Sequence, residues 1–187
     1  MDPDPHYEVI RMIQALSYRK GNFTLSSGKK SSFYIDLKAT TLHPEGAHWI
    51  GELAFKVLSN QKMKIEGVGG LTLGADPLAT AISLAAWSRK VVWPAFIVRK
   101  EPKSHGTTEY VEGKSNLKPG ASLIVLEDVV TTGGSSLKAI RRLRVEGFHP
   151  VAVLAIVDRQ EGGEEVILKE GVGFLVLTTL REISQAH

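Results

Sequence analysis

The sequence predicts an α/β fold in which helices flank a mainly parallel central sheet. Short apolar runs typical of strands alternate along the chain with stretches of helical periodicity, which is the pattern of parallel β-α units. The run 122–126 is apolar except at its first residue, as expected of a strand that is covered on both faces. The 187 residues show no linker, repeat or low-complexity segment, so one domain over 1–187 is expected.

The individual elements follow from apolar spacing and from the residues that begin helices. Helices are expected over 6–18, from 44 onward, from 76 to about 88, and over 133–146. Strands are expected over 33–37, 65–68, 91–98, 122–126, 151–157 and 174–177. Pro94 should confine pairing in the 91–98 strand to its second half, because proline has no N–H to donate. Ligands of such folds bind at the carboxyl ends of the strands, so the strand-to-helix turns are the first places to look for a site.

Composition and charge favour a protein that binds a small anion over one that binds nucleic acid or a membrane. The formal net charge of +3 is a mild excess, and the basic residues are scattered rather than arranged in a stripe with aromatics. No stretch approaches the roughly 20 apolar residues that cross a bilayer. The absence of cysteine and the acidic, non-apolar residues 1–4 fit a cytoplasmic protein.

The most informative segment is 123–135, where an apolar strand ends in two acids and is followed by hydroxyl and glycine residues. Glycines let backbone N–H groups turn toward a ligand, and the start of a helix adds positive partial charge, so the segment predicts a phosphate cradle. Glu127 and Asp128 would repel a phosphate unless they hold another group, such as sugar hydroxyls. The alternative is a capped helix that follows an acidic turn.

This segment resembles the phosphoribosyl-pyrophosphate signature of type I phosphoribosyltransferases. The resemblance implies that the two acids bind the ribose 2′ and 3′ hydroxyls and that the loop after them binds the 5′-phosphate. The first acid is often aspartate in the family, and glutamate keeps the charge while lengthening the reach. The residues that the resemblance assigns to phosphoribosyl pyrophosphate here are Glu127, Asp128, Val129, Val130, Thr131, Thr132, Gly133, Gly134 and Ser135.

Residues 23–36 are polar and turn-rich and then become strand-like. Alone they are consistent with an ordinary entry from a loop into a strand. They resemble the N-terminal hood of orotate phosphoribosyltransferases, which closes over the pyrimidine, so about residues 1–40 are expected to hold the first helix and this hood. The resemblance implies orotate contacts at Phe33 and Tyr34, at Ser26, where many relatives carry lysine, and at Thr131 of the cradle.

Residues 99–116 form a long polar stretch with several basic residues near its start. Such a stretch is a functional loop, a disordered one or a solvated run of charges. It resembles the mobile catalytic loop of orotate phosphoribosyltransferases, which closes over pyrophosphate in the partner subunit's site. The resemblance implies catalytic roles for Arg99, Lys100, Lys103 and His105. Lys103 would neutralise the departing pyrophosphate, and His105 would give it a proton or position it.

Two shorter segments complete the resemblance. The glycine-rich segment 67–76 indicates either close approach of the backbone to a ligand or tight packing of a turn. It matches the family's pyrophosphate loop, which implies contacts at Thr72 and at Leu73, where some relatives have lysine. Arg159 follows a strand and suits a surface ion pair, whereas the resemblance implies a contact with the carboxylate or carbonyls of orotate.

The resemblance as a whole implies transfer of a phosphoribosyl group from phosphoribosyl pyrophosphate to orotate, which gives orotidine 5′-monophosphate and pyrophosphate in pyrimidine biosynthesis. Mg²⁺ is expected to arrive bound to the phosphates of the substrate rather than at a protein metal site. The family also implies a homodimer that shares its catalytic loops. Two alternatives stay open: a phosphoribosyltransferase that uses a purine or uracil, and a non-catalytic regulator that senses phosphoribosyl pyrophosphate.

Overall fold

The computed structural model describes residues 3–24, 30–102 and 109–186, apart from the side chain of Ser31. The helices in these ranges are α1 (Pro5–Leu16), α2 (Lys38–Thr41), α3 (Pro44–Ser59), α4 (Asp76–Trp87), α5 (Gly134–Val145), α6 (Gly163–Lys169) and α7 (Leu180–Gln185), with a 3₁₀ turn at Lys114–Asn116. The strands are β1 (Tyr18–Thr24), β2 (Lys30–Ile35), β3 (Gly67–Leu71), β4 (Ala95–Val98), β5 (Val111–Glu112), β6 (Ser122–Val130), β7 (His149–Asp158) and β8 (Gly173–Thr179). No helix among the described residues is both long and apolar enough to cross a membrane.

Six strands form the central sheet in the order β5-β4-β3-β6-β7-β8, and all neighbours are parallel except β4 and β5. Alternate residues of β6 point to opposite faces, where each set joins a different core cluster. Ile124 and Leu126 pack in the cluster that includes α1, α3 and α4, whereas Leu123 and Val125 pack in the one that includes α5. The predicted α/β fold, with β6 buried on both faces, is therefore confirmed.

The glycine-rich segment differs from its prediction, because β3 covers Gly67–Leu71 instead of 65–68 and so takes in the first half of the segment 67–76. A Cβ atom on Gly69 would lie 2.0 Å from the carbonyl oxygen of Phe96, and one on Gly70 would lie 2.1 Å from that of Leu126. These two glycines let β3 pack between its neighbours, which is the tight-packing alternative. The strand prediction was wrong here because a strand with three glycines among five residues shows no apolar alternation.

The N-terminal region holds a separate antiparallel sheet of two strands, of which only the second was predicted, and at 33–37 rather than at β2. Two aromatic contacts join the strands: the ring centroids of Tyr18 and Phe33 are 6.2 Å apart, and those of Phe23 and Tyr34 are 5.6 Å apart. Residues 19–22 of β1 are exposed and polar or glycine, so they lack a strand signal.

The long polar stretch 99–116 is more regular than predicted, because β5 and the 3₁₀ turn occupy most of 111–116. β5 pairs with the end of β4, with Val98 opposite Val111. The expectation for Pro94 is confirmed, since β4 begins at Ala95. β6 continues past its predicted end to Val130, and this extension carries the two acids of the candidate site.

Candidate active site

The carboxyl ends of β3, β6 and β7 are neighbours at one edge of the sheet, and the turns that follow them bring most of the predicted residues together. The turn after β3 carries Thr72 and Leu73, the end of β6 carries the acid pair and the cradle, and Arg159 follows β7. A hydrogen bond of 3.0 Å from the Arg159 amide to the Val130 carbonyl ties the last two together. Parallel strands thus place segments that are far apart in sequence at one edge of the sheet.

Asp128 lies directly against the turn that follows β3. Its Oδ1 accepts a hydrogen bond of 2.9 Å from the Val129 amide, which fixes the carboxylate. A Cβ atom on Gly74 would lie only 2.7 Å from the Asp128 carboxyl carbon. The predicted ribose ligand and the predicted pyrophosphate loop are therefore adjacent, and this glycine is explained by close approach to a site residue.

Glu127 is held from the first turn of α5. The hydroxyl of Ser136, which is fully buried, donates a hydrogen bond of 3.0 Å to Glu127 Oε2. Burial raises the pKa of the Glu127 carboxyl to about 7, the Ser136 bond opposes that rise, and the charge of Asp128 adds to it. Near neutral pH the acid pair of the ligand-free protein thus carries less than two full charges, which reduces its repulsion of a nearby phosphate.

The raised pKa of Glu127 predicts that this residue destabilises the ligand-free protein as the pH rises. Between the usual carboxyl pKa of about 4.5 and about 7, the folded state holds a proton that the unfolded state has released, so the free energy of unfolding falls over that range. Relative to Glu127→Gln, which does not titrate, the native protein should lose about 1–2 kcal/mol between pH 5 and pH 8. Urea unfolding of both proteins at the two pH values measures the difference.

Glu170→Gln is the matched control, because Arg141 and Arg144 lower the pKa of that surface glutamate and move its titration below the tested range. Its stability difference from the native protein should stay constant from pH 5 to pH 8. Parallel pH profiles for the native protein and Glu127→Gln would mean that Glu127 titrates normally.

The predicted phosphate cradle is the turn from β6 into α5. Gly133 is the N-cap of α5 with φ 80°, and no side chain caps the helix. A Cβ atom on Gly134 would meet no atom within 4 Å, and Thr132 and Ser135 are exposed, so the first N–H groups of α5 face open space. Val130 is buried in the core and, like Val129, belongs to β6, so either would reach a phosphate only through its backbone.

Gly163 packs against the loop of the predicted phosphate cradle, and the sequence did not indicate this role. A Cβ atom on this residue, the first of α6, would lie 2.4 Å from Val130 Cγ1 and 2.7 Å from the Thr131 carbonyl oxygen. Only glycine therefore lets α6 approach the loop this closely. The glycine pair at 162–163 was the available signal, but the contact joins segments about 30 residues apart and does not follow from local pattern.

The hydroxyl of Thr72 donates its hydrogen to Asp76 Oδ2 over 2.7 Å. Its oxygen therefore offers only lone pairs to a ligand. The other carboxyl oxygen of Asp76 is buried and has no hydrogen-bond partner among the described residues. Leu73 is 66% exposed, and the peptide bond between Thr72 and Leu73 is cis. The Thr72 hydroxyl can thus accept a hydrogen bond from a ligand, whereas Leu73 can contact a ligand through its backbone.

Arg159 and Phe33, predicted separately as pyrimidine contacts, meet in the structure. The guanidinium carbon lies 5.1 Å from the centre of the Phe33 ring. Arg159 Nη2 forms an ion pair with Glu161 over 2.8 Å, as the alternative prediction of a surface ion pair expected. The arginine side chain is only 12% exposed, however, so most of it is buried. Its Nε is buried and has no hydrogen-bond partner in the described part of the chain. Tyr34 lies on the same strand and is 44% exposed.

Lys38, at the start of α2, is a further basic residue near the site that the sequence analysis did not select. Its ammonium group donates to Asp36 Oδ1 over 2.8 Å. That bond raises the pKa of Lys38, and the charges of Asp36, Asp128 and Tyr34 raise it further. The lysine therefore lies within electrostatic reach of Asp128, the predicted ribose ligand, and of Tyr34 in the predicted hood.

Only part of the predicted catalytic loop falls in the described residues. Arg99 Nη1 pairs with Glu112 over 2.9 Å, and its Nε donates to the Glu101 carbonyl over 3.2 Å. Lys100 is exposed. Three predicted site residues lie outside the described residues: Lys103, His105 and Ser26.

Comparison with known proteins decides the family. The chain is 44% identical over 180 residues to an orotate phosphoribosyltransferase of Nostoc, covering 96% of this chain and 85% of the relative. It is 46% identical over 179 residues to the orotate phosphoribosyltransferase of Aquifex aeolicus, covering 94% and 96%. The chain belongs to the orotate phosphoribosyltransferase family. The recognition made from the sequence motifs is thereby confirmed, although no protein-family model matches the chain.

A solved member of the orotate phosphoribosyltransferase family has the same architecture. The structure of the Mycobacterium tuberculosis enzyme in complex with 5-phospho-α-D-ribosyl 1-diphosphate aligns with a TM-score of 0.79 and 33% identity. The alignment covers 97% of this chain and 99% of that one. The predicted fold therefore agrees with a family member that binds phosphoribosyl pyrophosphate.

Proposed function

We propose that the chain transfers the phosphoribosyl group of 5-phospho-α-D-ribose 1-diphosphate to orotate and releases orotidine 5′-monophosphate and pyrophosphate, in pyrimidine biosynthesis. The choice of orotate as the base rests on the contact between Arg159 and the Phe33 ring. Buried N–H groups are nearly always hydrogen-bonded, so the unpartnered Nε of Arg159 indicates a ligand acceptor at that place. A flat anion that lies beside the Phe33 ring and accepts from a guanidinium matches orotate.

The strand order supports one direction for the substrate across the site. β6 lies between β3 and β7, so a ribose held at Glu127 and Asp128 has the turn after β3 on one side and Arg159 on the other. The diphosphate would lie toward Thr72, the pyrimidine toward Arg159, and the 5′-phosphate at the start of α5. The reacting carbon would then lie between leaving group and nucleophile, as a displacement requires.

In the reaction the bond between ribose C1 and the diphosphate oxygen breaks, and its electron pair leaves with pyrophosphate. The N1 lone pair of orotate forms the new C–N bond. The N1 proton would pass to water or to the departing pyrophosphate, so the protein needs no strong base of its own. Its residues act by holding both substrates and by offering positive charge where negative charge develops. Lys103 is proposed to stabilise the leaving pyrophosphate, and His105 to give it a proton or to position it.

The residues at the pyrophosphate side fit a hydrated Mg²⁺ that is bound mainly by the substrate. The lone pairs of Thr72 and the carboxylate of Asp128 accept hydrogen bonds, which suits the water ligands that Mg²⁺ retains. When bound, the ion would offset the negative charge of the diphosphate. Asp128 and Thr72 would orient its waters.

We also propose that two copies associate and that the enzyme works in the cytoplasm. Association is supported by α4, which exposes Leu84 and Trp87 at 62% and 59%. The cytoplasmic location rests on the sequence, which contains no cysteine. Light scattering on the purified protein measures the number of copies.

The activity is tested by mixing purified protein with Mg²⁺, phosphoribosyl pyrophosphate and orotate and by following orotate absorbance and pyrophosphate release. Loss of orotate that needs all three components, with one pyrophosphate released per orotate consumed, is expected. Turnover of a purine or uracil in place of orotate would contradict the choice of base. Tight binding of phosphoribosyl pyrophosphate without turnover of any base would instead indicate a regulator.

A further inference from the structure

The central sheet fixes the main chain where Arg159 begins. The residue before it, Asp158, ends β7 and pairs with both neighbouring strands, opposite Val130 of β6 and Thr179 of β8. The Arg159 amide then donates a hydrogen bond of 3.0 Å to the Val130 carbonyl. The peptide group on the N-terminal side of Arg159 is therefore held by two strands.

The peptide group on the other side of Arg159 is held by the side chain of Asp158. This aspartate is buried, and its Oδ1 accepts a hydrogen bond of 2.8 Å from the Gln160 amide. A carboxylate that bonds the amide two residues later closes an Asx turn. Both peptide groups of Arg159 are thus fixed, one by β6 and the other by Asp158.

The turn requires an uncommon backbone conformation at Gln160. Its φ is 58°, and among the described residues Lys90 is the only other non-glycine residue with positive φ. This left-handed conformation is costly for residues with a long side chain. A hydrogen bond to a charged acceptor is among the stronger ones, so the bond from the Gln160 amide to Asp158 can offset that cost.

The side chain that leaves this turn reaches the proposed pyrimidine side of the site. The Arg159 guanidinium carbon lies 5.1 Å from the centre of the Phe33 ring, and its Nη2 pairs with Glu161 over 2.8 Å. We propose that Asp158 is a positioning residue for base recognition: it closes the turn at Gln160 that directs Arg159 toward the base. The inference rests on the proposed contact between Arg159 and orotate.

Loss of the Asp158 carboxylate should weaken the use of orotate selectively. Asp158→Ala should lower kcat/KM for orotate by about 10-fold, because a group displaced by about 1 Å can lose up to about 100-fold in rate. The KM for phosphoribosyl pyrophosphate should change less than about twofold, since its proposed contacts do not involve this turn. Asp158→Ser, whose hydroxyl closes the same turn more weakly, should lose about threefold and serves if the alanine variant does not fold.

Two further variants test whether Asp158 acts through the turn. Asp158→Asn keeps an oxygen acceptor without the charge and should retain kcat/KM for orotate within about twofold of native. Glycine adopts positive φ without strain, so adding Gln160→Gly to Asp158→Ala should restore kcat/KM to within about threefold of native. An asparagine variant as impaired as the alanine variant, or no recovery with glycine, would overturn the proposal.

Asp4→Ala is the matched control. Asp4 also accepts a hydrogen bond from an amide two residues later, that of His6 over 3.2 Å, but it caps α1 and belongs to no part of the predicted site. Its loss should lower thermal stability and leave kcat/KM for orotate within about twofold of native. Equal losses of orotate use in the Asp4 and Asp158 variants would show that only general stability was affected, which would overturn the proposal.

A double-mutant cycle with Arg159→Met separates this inference from the proposed function. If Asp158 acts through the arginine, Asp158→Ala should change kcat/KM for orotate less than about twofold once the guanidinium is gone. A full additional 10-fold loss in that background would overturn the positioning role and leave the role of Arg159 standing. Native use of orotate by Arg159→Met alone would overturn the proposed contact of Arg159, and the inference with it.

Discussion

Lys103→Ala is expected to lower kcat by about 100- to 1,000-fold while leaving the dissociation constant for phosphoribosyl pyrophosphate nearly unchanged. The turn after β3 offers little positive charge to the leaving group, because Leu73 is uncharged and the Thr72 hydrogen is taken by Asp76. Arg99 is already paired with Glu112. Other cations must then stabilise most of the negative charge that develops on pyrophosphate, and we assign this role to Lys103.

Steady-state kinetics with both substrates and calorimetric binding of phosphoribosyl pyrophosphate test this expectation. Lys118→Ala is the control, because that exposed lysine precedes β6 and so lies at the opposite edge of the sheet from the site. It should leave both quantities unchanged. A dissociation constant that rises in step with the loss of kcat would assign Lys103 to ground-state binding instead of leaving-group stabilisation.

Arg159→Met is expected to lower kcat/KM for orotate by about 100-fold or more. The variant keeps the apolar length that packs beside Phe33 but removes the buried donors, and each hydrogen bond to a charged partner contributes about 1.5–3 kcal/mol. The KM for phosphoribosyl pyrophosphate should change much less, since the proposed ribose and phosphate contacts lie on β6 and α5.

Glu161→Gln is the control for the arginine, because it removes only the exposed partner of the ion pair. Its kcat/KM for orotate should stay within about threefold of native. If both variants reduced orotate use equally, the ion pair itself would be the functional unit. If Arg159→Met left orotate use unchanged, the pyrimidine would bind elsewhere.

The sequence predicted the elements whose signals are local. The apolar run of β6 and the hydroxyl-glycine turn after it were recognisable from residue types alone, and the family resemblance linked Phe33 to Arg159, which the structure brings together. Contacts between distant segments could not be predicted. The residues around Gly163 do not indicate that α6 packs against the predicted cradle. The hydrogen bonds from Arg142 to the carbonyls of Arg99 and Lys100 span more than 40 residues and depend on how α5 packs against β4.

The strand β3 shows a different reason for failure. Strand prediction depends on alternating side chains, whereas β3 fits between β4 and β6 because Gly69 and Gly70 have none. The glycine-rich segment 67–76 was expected either to approach a ligand or to pack a turn tightly, and among its glycines only Gly74 lies against a predicted site residue. Composition therefore indicated that the backbone is crowded in this region, but not which neighbour crowds it.

The proposed pyrimidine side of the site joins two parts of unequal rigidity. Arg159 extends from the central sheet, while Phe33 belongs to a separate sheet of two strands, an arrangement that is marginally stable by itself. Base binding should therefore slow hydrogen exchange at the amides of β1 and β2 more than in β6 and β7, which are already protected. Part of the binding energy for the base would be used to order this sheet, so apparent affinity for orotate can be tuned by substitutions in β1 that never touch the ligand.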